Sequence, residues 1–374
     1  MAINDFQIFV KPVGAECNLR CHYCYYLDKS SLHHGFSLME DEVLEKYIRS
    51  HFEAVNEESI NFSWHGGEPL LAGIDFFRRV VMFQKLFKPA GTAVLNGIQT
   101  NGTLLSDEWC RFLSEEKFYI GISIDGPQEF HDKFRRNRDG LSSFSRVVNG
   151  FKLLKKYGIT PEVLCVVNSE NVKQPLKIYN FFRKLGASFI TFLPLVERRP
   201  EMPAGVSLDS VDPAAFGIFL SKIFDQWVQN GIGRIRIQIF EEAARTAFNQ
   251  EHTLCIFKKS CGAVPVIERN GDFYSCDHYV DRNYLIGNVK NISIRELLSD
   301  RRQIEFGMAK LNTLPAYCVN CSVRDMCNGE CPKNRFLTTP DGEPGLNYLC
   351  EGYRYFFNHC KPFVEAIGQI FRNQ

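Results

Sequence analysis

Fourteen cysteines stand in this chain of 374 residues, and eleven of them fall into spaced groups that restrict what the chain can become. Cys17, Cys21 and Cys24 form C-x3-C-x2-C directly after a first β-branched run. Cys255, Cys261 and Cys276 bracket Gly271; then come Cys318, Cys321, Cys327 and Cys331 as C-x2-C-x5-C-x3-C, with Cys350 last. Such spacings are those of metal ligands. The opening residues MAINDFQIFVKPVG lack a basic start followed by an apolar run, so they do not read as a signal peptide. No apolar stretch reaches the roughly 18 residues a membrane span needs. The expectation is a cytoplasmic protein with no membrane segment, whose thiols stay reduced and bind metal rather than pair as disulfides. A net charge of +1 indicates neither a nucleic-acid surface nor an acidic tail.

From residue 5 to about residue 195, short β-branched or aromatic runs alternate with amphipathic stretches. Strands are predicted at Gln7–Val10, Ile60–Trp64, Val94–Gln99, Tyr119–Ile124, Glu162–Asn168 and Phe189–Leu193. Helices are predicted at Glu40–Ala54, Asp107–Glu116, Phe144–Tyr157 and Pro175–Leu185. Six β–α units imply a parallel sheet covered by helices, and a partial barrel fits because the polar motifs all follow strand ends. Residues Glu197–Val211, rich in Pro, Gly and Ser, read as a linker, and Asp212 with Pro213 reads as the start of a helix that ends near Gly231. Beyond Cys255 the segments shorten and turn residues multiply, so bound metal would supply constraint that a small apolar core does not.

Three thiolates on one tight loop can hold three corners of a [4Fe–4S] cube and leave the fourth iron open. Spacing alone also admits zinc with a ligand from elsewhere. The second strand ends in WHGGEP, where Gly66 and Gly67 allow a ligand near the backbone and Glu68 can take up an amine. The fourth ends in Ser123-Ile124-Asp125-Gly126-Pro127, with His131 and Arg135 following. An aromatic before the last cysteine of C-x3-C-x2-C, followed by GGEP, resembles the radical S-adenosylmethionine (SAM) superfamily. That resemblance implies that Cys17, Cys21 and Cys24 hold the cluster and that SAM binds its open iron. One-electron cleavage would then yield a 5′-deoxyadenosyl radical. By motif position, Tyr23, Gly67, Ser123 and Arg135 would contact SAM, together with Glu68 and Val196. The cofactor performs the hard step, while the protein supplies position and exclusion.

The remaining eight grouped cysteines suit two four-thiolate sites, for zinc or for [4Fe–4S] clusters. Their order, C-x9-G-x4-C and then C-x2-C-x5-C-x3-C with a last cysteine, resembles the SPASM extension of radical SAM enzymes. The resemblance assigns Cys255, Cys261, Cys276 and Cys331 to a first auxiliary cluster, and Cys318, Cys321, Cys327 and Cys350 to a second. It implies three [4Fe–4S] clusters in all, with a radical SAM partial (β/α)6 barrel over residues 1–233 and a SPASM domain over residues 234–374. Cys110 and Cys165 read as core residues, and Cys360 carries no assigned role.

Within SPASM proteins, the words KPVGAECNLRCHYCYYL, WHGGEPLLAG, QTNGTLL, GISIDGP, CDHYV and NYLCEGY resemble anaerobic sulfatase-maturating enzymes. Members of that family oxidise a cysteine or serine in a C/S-x-P-x-R segment of a sulfatase to Cα-formylglycine. The resemblance implies Asp277 as the general base, Tyr26 near the substrate, and a flavodoxin or ferredoxin as electron donor. His65 stands where some members carry glutamine. The alternative is another SPASM peptide modifier that forms thioether or carbon–carbon crosslinks in a ribosomal peptide, which would share the metal sites.

Overall fold

The computed structural model describes residues 6–27, 29, 37–55 and 57–372. In chain order its strands are β1 (Phe9–Val10), β2 (Ser59–Trp64), β3 (Ala93–Thr100), β4 (Tyr119–Ser123), β5 (Glu162–Val167) and β6 (Phe189–Pro194). Shorter strands follow: β7 (Arg236–Ile237), β8 (Val266–Ile267), β9 (Asp272–Tyr274), β10 (Leu285–Asn288), β11 (Leu337–Thr338) and β12 (Pro344–Leu346). The helices begin with α1 (Asp41–Ala54), α2 (Ile74–Phe87), α3 (Asp107–Glu115), α4 (Gln128–Phe134), α5 (Phe144–Lys156), α6 (Pro175–Leu185), α7 (Pro213–Asn230) and α8 (Gln238–Ala247). They continue with α9 (Ile294–Ser299), α10 (Arg301–Asn312), α11 (Ala316–Val319), α12 (Arg324–Cys327) and α13 (Cys350–Arg372). The six strands and four helices expected from periodicity are all present, displaced by at most a few residues.

Two compact units divide the chain, and they do not follow its order. The first takes the residues up to Ser123, Asp132–Pro161 and Gly262–Gly307. Its strands run β10-β9-β8-β1-β2-β3-β4, with β1 to β4 parallel. β1 also pairs in parallel with β8, setting Phe9 against Val266 and Val10 against Ile267. The stripe Val43, Leu44, Tyr47, Ile48 and Phe52 of α1 is buried, as its helical spacing requires. One polar knot lies in this core. The indole of Trp64 donates to Asn96 at 3.0 Å, and Asn96 exchanges two 2.9 Å bonds with Gln84. Each buried polar group there has a partner, so its burial is tolerated.

The second unit takes Ile124–His131, Glu162–Cys261 and Met308–Gln374, with β5, β6 and β7 parallel. Asp212 caps α7 through a 2.8 Å bond from the Ala215 amide, with Pro213 in the first turn. The stretch expected as a linker folds back on itself: Arg198 bridges Val206, and the Ser207 and Val211 amides donate to Glu197 and Leu195 at 2.9 Å. Where α7 crosses α13, glycine faces glycine. A Cβ on Gly352 would lie 2.1 Å from the Pro213 carbonyl oxygen, and one on Gly217 would lie 2.6 Å from that of Gly352. Phe224 meets Phe240, Phe356 and Phe363 edge to face beside this crossing. Cys110, Cys165 and Cys360 are fully buried in apolar surroundings, as core thiols are.

Candidate active site

In the first unit, the loops that follow β1, β2 and β3 are knitted together through backbone. The His65, Gly67 and Glu68 amides each donate at 2.8 Å, to Val10, Gly14 and Glu16 respectively. Gly67 allows this approach because any Cβ there would lie 2.0 Å from the Glu16 carbonyl oxygen. Glu68 is wholly buried and accepts three donors: the Leu70 amide at 3.0 Å, Thr100 Oγ1 at 2.7 Å and the Asn101 amide at 2.7 Å. Burial raises its pKa, against the pull of those hydrogen bonds. Asn101 in turn bonds Asn18 at 2.9 Å and points its amide at the Cys17 sulfur, 3.7 Å away. The Leu19 amide approaches the same sulfur at 3.4 Å. Burial pushes the Cys17 thiol up to about 12, and the Glu68 carboxylate adds to it. Two N–H donors aimed at one sulfur suit a thiolate, the form in which iron is bound.

Residues after α4 clamp the other side of the cysteine loop. The Arg20 and His22 amides donate to Arg136 and Phe134 at 2.8 Å, and Arg138 reaches the Cys17 carbonyl at 2.9 Å and Glu16 at 3.0 Å. Buried Arg135 donates to the Tyr23 hydroxyl at 3.0 Å. Tyr23, Gly67, Glu68 and Arg135 thus lie on loops tied directly to Cys17–Cys24, while Ser123 ends β4 and accepts from Gln99 at 3.0 Å. Val196 belongs to the second unit and is buried just past β6.

Asp277 follows Cys276 and is buried within the first unit. Lys11, itself 2% exposed, forms an ion pair with Oδ1, and the Tyr25 phenol donates to Oδ2. Burial opposes the carboxylate's charge, but Lys11 and His278 outweigh it, so Asp277 is held down at about 2. The Lys11 ammonium sits 3.5 Å from the centroid of the Tyr26 ring, whose hydroxyl donates to buried Glu268. Burial, then the facing carboxylates, push both phenols well above the ordinary tyrosine range. His65 stacks on Phe9 with ring centroids 3.8 Å apart, and burial lowers its imidazole to about 4. The structure therefore joins Tyr26 and Asp277 through Lys11. Sequence reasoning missed Lys11, Tyr25, Asn101 and Glu268, although the first three lie inside words quoted for the family resemblance.

In the second unit, Cys318, Cys321, Cys327 and Cys350 line one pocket with Tyr317, Asn347 and Tyr353. Burial pushes the Cys327 thiol to about 12 and Cys350 to about 11, and each is raised further by other thiols of this set. Among the described residues, no three His, Cys, Asp or Glu side chains close on one point as around a single ion; these four thiols surround a space. Cys255, Cys261 and Cys331 also belong to this unit, and Cys276 to the first. Among the described residues, no helix is long and apolar enough to cross a membrane.

Two family models match the chain: the radical SAM superfamily over residues 12–182 and an iron–sulfur cluster-binding domain, SPASM, over residues 255–322. A serine-type anaerobic sulfatase-maturating enzyme of Bacteroides thetaiotaomicron is 43% identical over 98% of this chain and 92% of its own length. A cysteine-type counterpart from Clostridium perfringens is 32% identical, covering 95% of this chain and 96% of the relative. The solved structure of native anSMEcpe with bound AdoMet and Cp18Cys peptide superposes with a TM-score of 0.88 at 31% identity, covering 97% of this chain and 99% of that one. With its cysteine loop, its buried aspartate and its iron–sulfur domain in one chain, this protein belongs to the anaerobic sulfatase-maturating enzymes of the radical SAM superfamily.

Proposed function

We propose that this protein oxidises one serine or cysteine of a sulfatase, within a C/S-x-P-x-R segment, to Cα-formylglycine. The observation that carries the reading is Asp277, a buried carboxylate kept ionised beside Cys276 by Lys11 on one oxygen and Tyr25 on the other. Taking Cβ–OH to C=O, or Cβ–SH to C=S, removes two electrons and two protons in all. When bound, a cluster held by Cys17, Cys21 and Cys24 would, with SAM, supply the first part, the abstraction of a hydrogen atom from Cβ. One proton and one electron then remain to be removed, and an auxiliary cluster would accept the electron. A substrate hydroxyl or thiol that displaces the Tyr25 phenol reaches Oδ2 at hydrogen-bond distance, and Asp277 takes its proton. Lys11 keeps the base ionised until that moment and steadies it through Oδ1. Tyr26, braced by Glu268 and the Lys11 ammonium, forms the wall on which the peptide lies. A thioaldehyde product hydrolyses to the aldehyde in water.

The cofactor set is three [4Fe–4S] clusters with SAM, held by Cys17, Cys21 and Cys24, by Cys255, Cys261, Cys276 and Cys331, and by Cys318, Cys321, Cys327 and Cys350. Donors aimed at the Cys17 sulfur and four thiols around one pocket support that assignment. Tyr23, Gly67, Glu68, Ser123, Arg135 and Val196 face SAM in this reading, and residues 1–233 and 234–374 divide the radical and auxiliary functions. A cytoplasmic flavodoxin or ferredoxin supplies the starting electron.

The test is to incubate the reduced, oxygen-protected enzyme with SAM and peptides carrying S-x-P-x-R or C-x-P-x-R, and to follow the aldehyde by mass spectrometry. Asp277→Asn should still release 5′-deoxyadenosine while formylglycine falls by at least ~100-fold, the contribution expected of a general base. Undiminished aldehyde would remove Asp277 as the base. A crosslinked peptide in place of the aldehyde would overturn the assignment of the reaction.

A further inference from the structure

The second unit holds charged side chains among its cysteines that the proton chemistry leaves without a task. Arg335 donates to four backbone oxygens: Gly329 at 2.8 Å, Lys310 at 2.7 Å, Asn328 at 2.9 Å and Glu330 at 3.4 Å. Three of these carbonyls are consecutive in the short loop between Cys327 and Cys331. Lys310, 1% exposed, sends its ammonium to the Cys255 and Ile256 carbonyl oxygens at 3.1 and 2.7 Å. One cation therefore wraps the loop that joins two cysteine sets, and a second caps the backbone of Cys255. The charge on Arg335 interacts with the sulfurs of Cys318, Cys327 and Cys261, and that on Lys310 with those of Cys255 and Cys261. Glu330, the carboxylate that acts on Cys255, Cys261 and Cys327, is 2% exposed and is held by Asn334 at 3.0 Å and Asn347 at 2.6 Å. Half-buried Arg335 and buried Lys310 thus face the buried carboxylate of Glu330.

Adding an electron to a thiolate-held iron–sulfur centre adds negative charge inside low-dielectric protein. The cost depends on net local charge, hydrogen bonding and exposure. We propose that Arg335 and Lys310 are potential-setting residues, which raise the reduction potential of the auxiliary clusters and so let them accept the electron left on the substrate carbon. Arg335 suits the task because its guanidinium stays charged in proteins. In the step concerned, the substrate carbon radical is oxidised by one electron as its O–H or S–H proton passes to Asp277, and an auxiliary cluster is reduced by one. This rests on reading the eight C-terminal cysteines of the two groups as cluster ligands.

The experiment uses the full chain with Cys17, Cys21 and Cys24 all changed to Ala, so that bound iron reports the auxiliary sites alone. Midpoint potentials are read by redox titration followed by electron paramagnetic resonance, alongside iron content. At unchanged iron content, Arg335→Gln and Lys310→Met should each shift the midpoint to more negative values. Glu330→Gln should shift it the other way, and Arg335→Lys should stay near the parent. Unmoved potentials in iron-replete Arg335→Gln and Lys310→Met overturn the proposal. Should Arg335→Gln fail to load iron, Lys310→Met and Glu330→Gln decide by the signs of their shifts. A parent that holds no iron overturns the cluster reading itself, a distinct outcome from iron-loaded variants with unmoved potentials.

Discussion

At the scale of single residues, the first unit shows how burial and charge compete, and which wins depends on the neighbours. Asp277 is buried yet stays low at about 2, because Lys11 lies against it. For His51, burial pushes the imidazole down to about 3, and its ring nitrogen meets the Tyr47 hydroxyl at 3.0 Å. In the unfolded chain the same imidazole binds a proton near 6.5, so protonation favours unfolding. The contribution of His51 is full above about pH 6.5 and falls as the pH drops toward 3. At pH 5 that one group should cost about 2 kcal/mol. Anaerobic denaturant unfolding of His51→Phe at pH 7 and pH 5 checks this. The variant should lose less stability over that interval than the parent, because an aromatic ring of similar size stays among Tyr47, Phe52 and Phe62 without a titrating nitrogen. An equal loss in both would assign the acid sensitivity elsewhere.

At the scale of elements, the crossing of α7 and α13 is the most exacting contact in the second unit. Gly352→Ala would push a methyl to about 2.1 Å from the Pro213 carbonyl oxygen, so the helices must separate. Overpacking of this kind costs about 1–3 kcal/mol, and thermal unfolding should show it. Gly342→Ala, where a Cβ meets nothing within 4 Å but φ is +86°, separates backbone strain from helix crowding. Helices α1, α3, α5, α6 and α7 were legible from sequence, the last two through Pro at the first turn and an apolar stripe behind it, whereas α2, α4 and α8 were not read. Strands β2 to β6 were legible for the same reason of period. Strands β8 to β10 were not, because runs of two to four residues have no period to read. Among site residues, cysteine spacing disclosed the ligand groups, yet no spacing could disclose that Lys11 meets Asp277 across most of the chain. Glu68 was read as an amine binder from its place after two glycines. Its three internal donors, from Leu70, Thr100 and Asn101, come from neighbours that only the folded loops bring together.

At the scale of the molecule, the distribution of apolar and thiol material predicts uneven dependence on iron. The first unit contains β1 to β4 with a large aromatic core around Trp64, Phe76 and Phe77. The cysteine-bearing segments from Cys255 to Cys261 and from Cys318 to Cys350 contain only short helices, turns and a two-stranded ribbon. Removing iron with a chelator should therefore raise amide hydrogen exchange in those segments while β2 and β3 stay protected. Mass spectrometry of exchanged peptides would read the contrast, and a uniform rise would refute it. A different consequence follows from the pairing of β1 with β8, which sets residues 9 and 10 beside residues 266 and 267. On the ribosome, Phe9 and Val10 emerge well before Val266 and Ile267, and that flank of β1 stays bare until the later pair leaves the exit tunnel. Nascent chains thus carry an unsatisfied strand edge for the whole interval between those two segments, a stretch in which that edge is open to pairing with another chain.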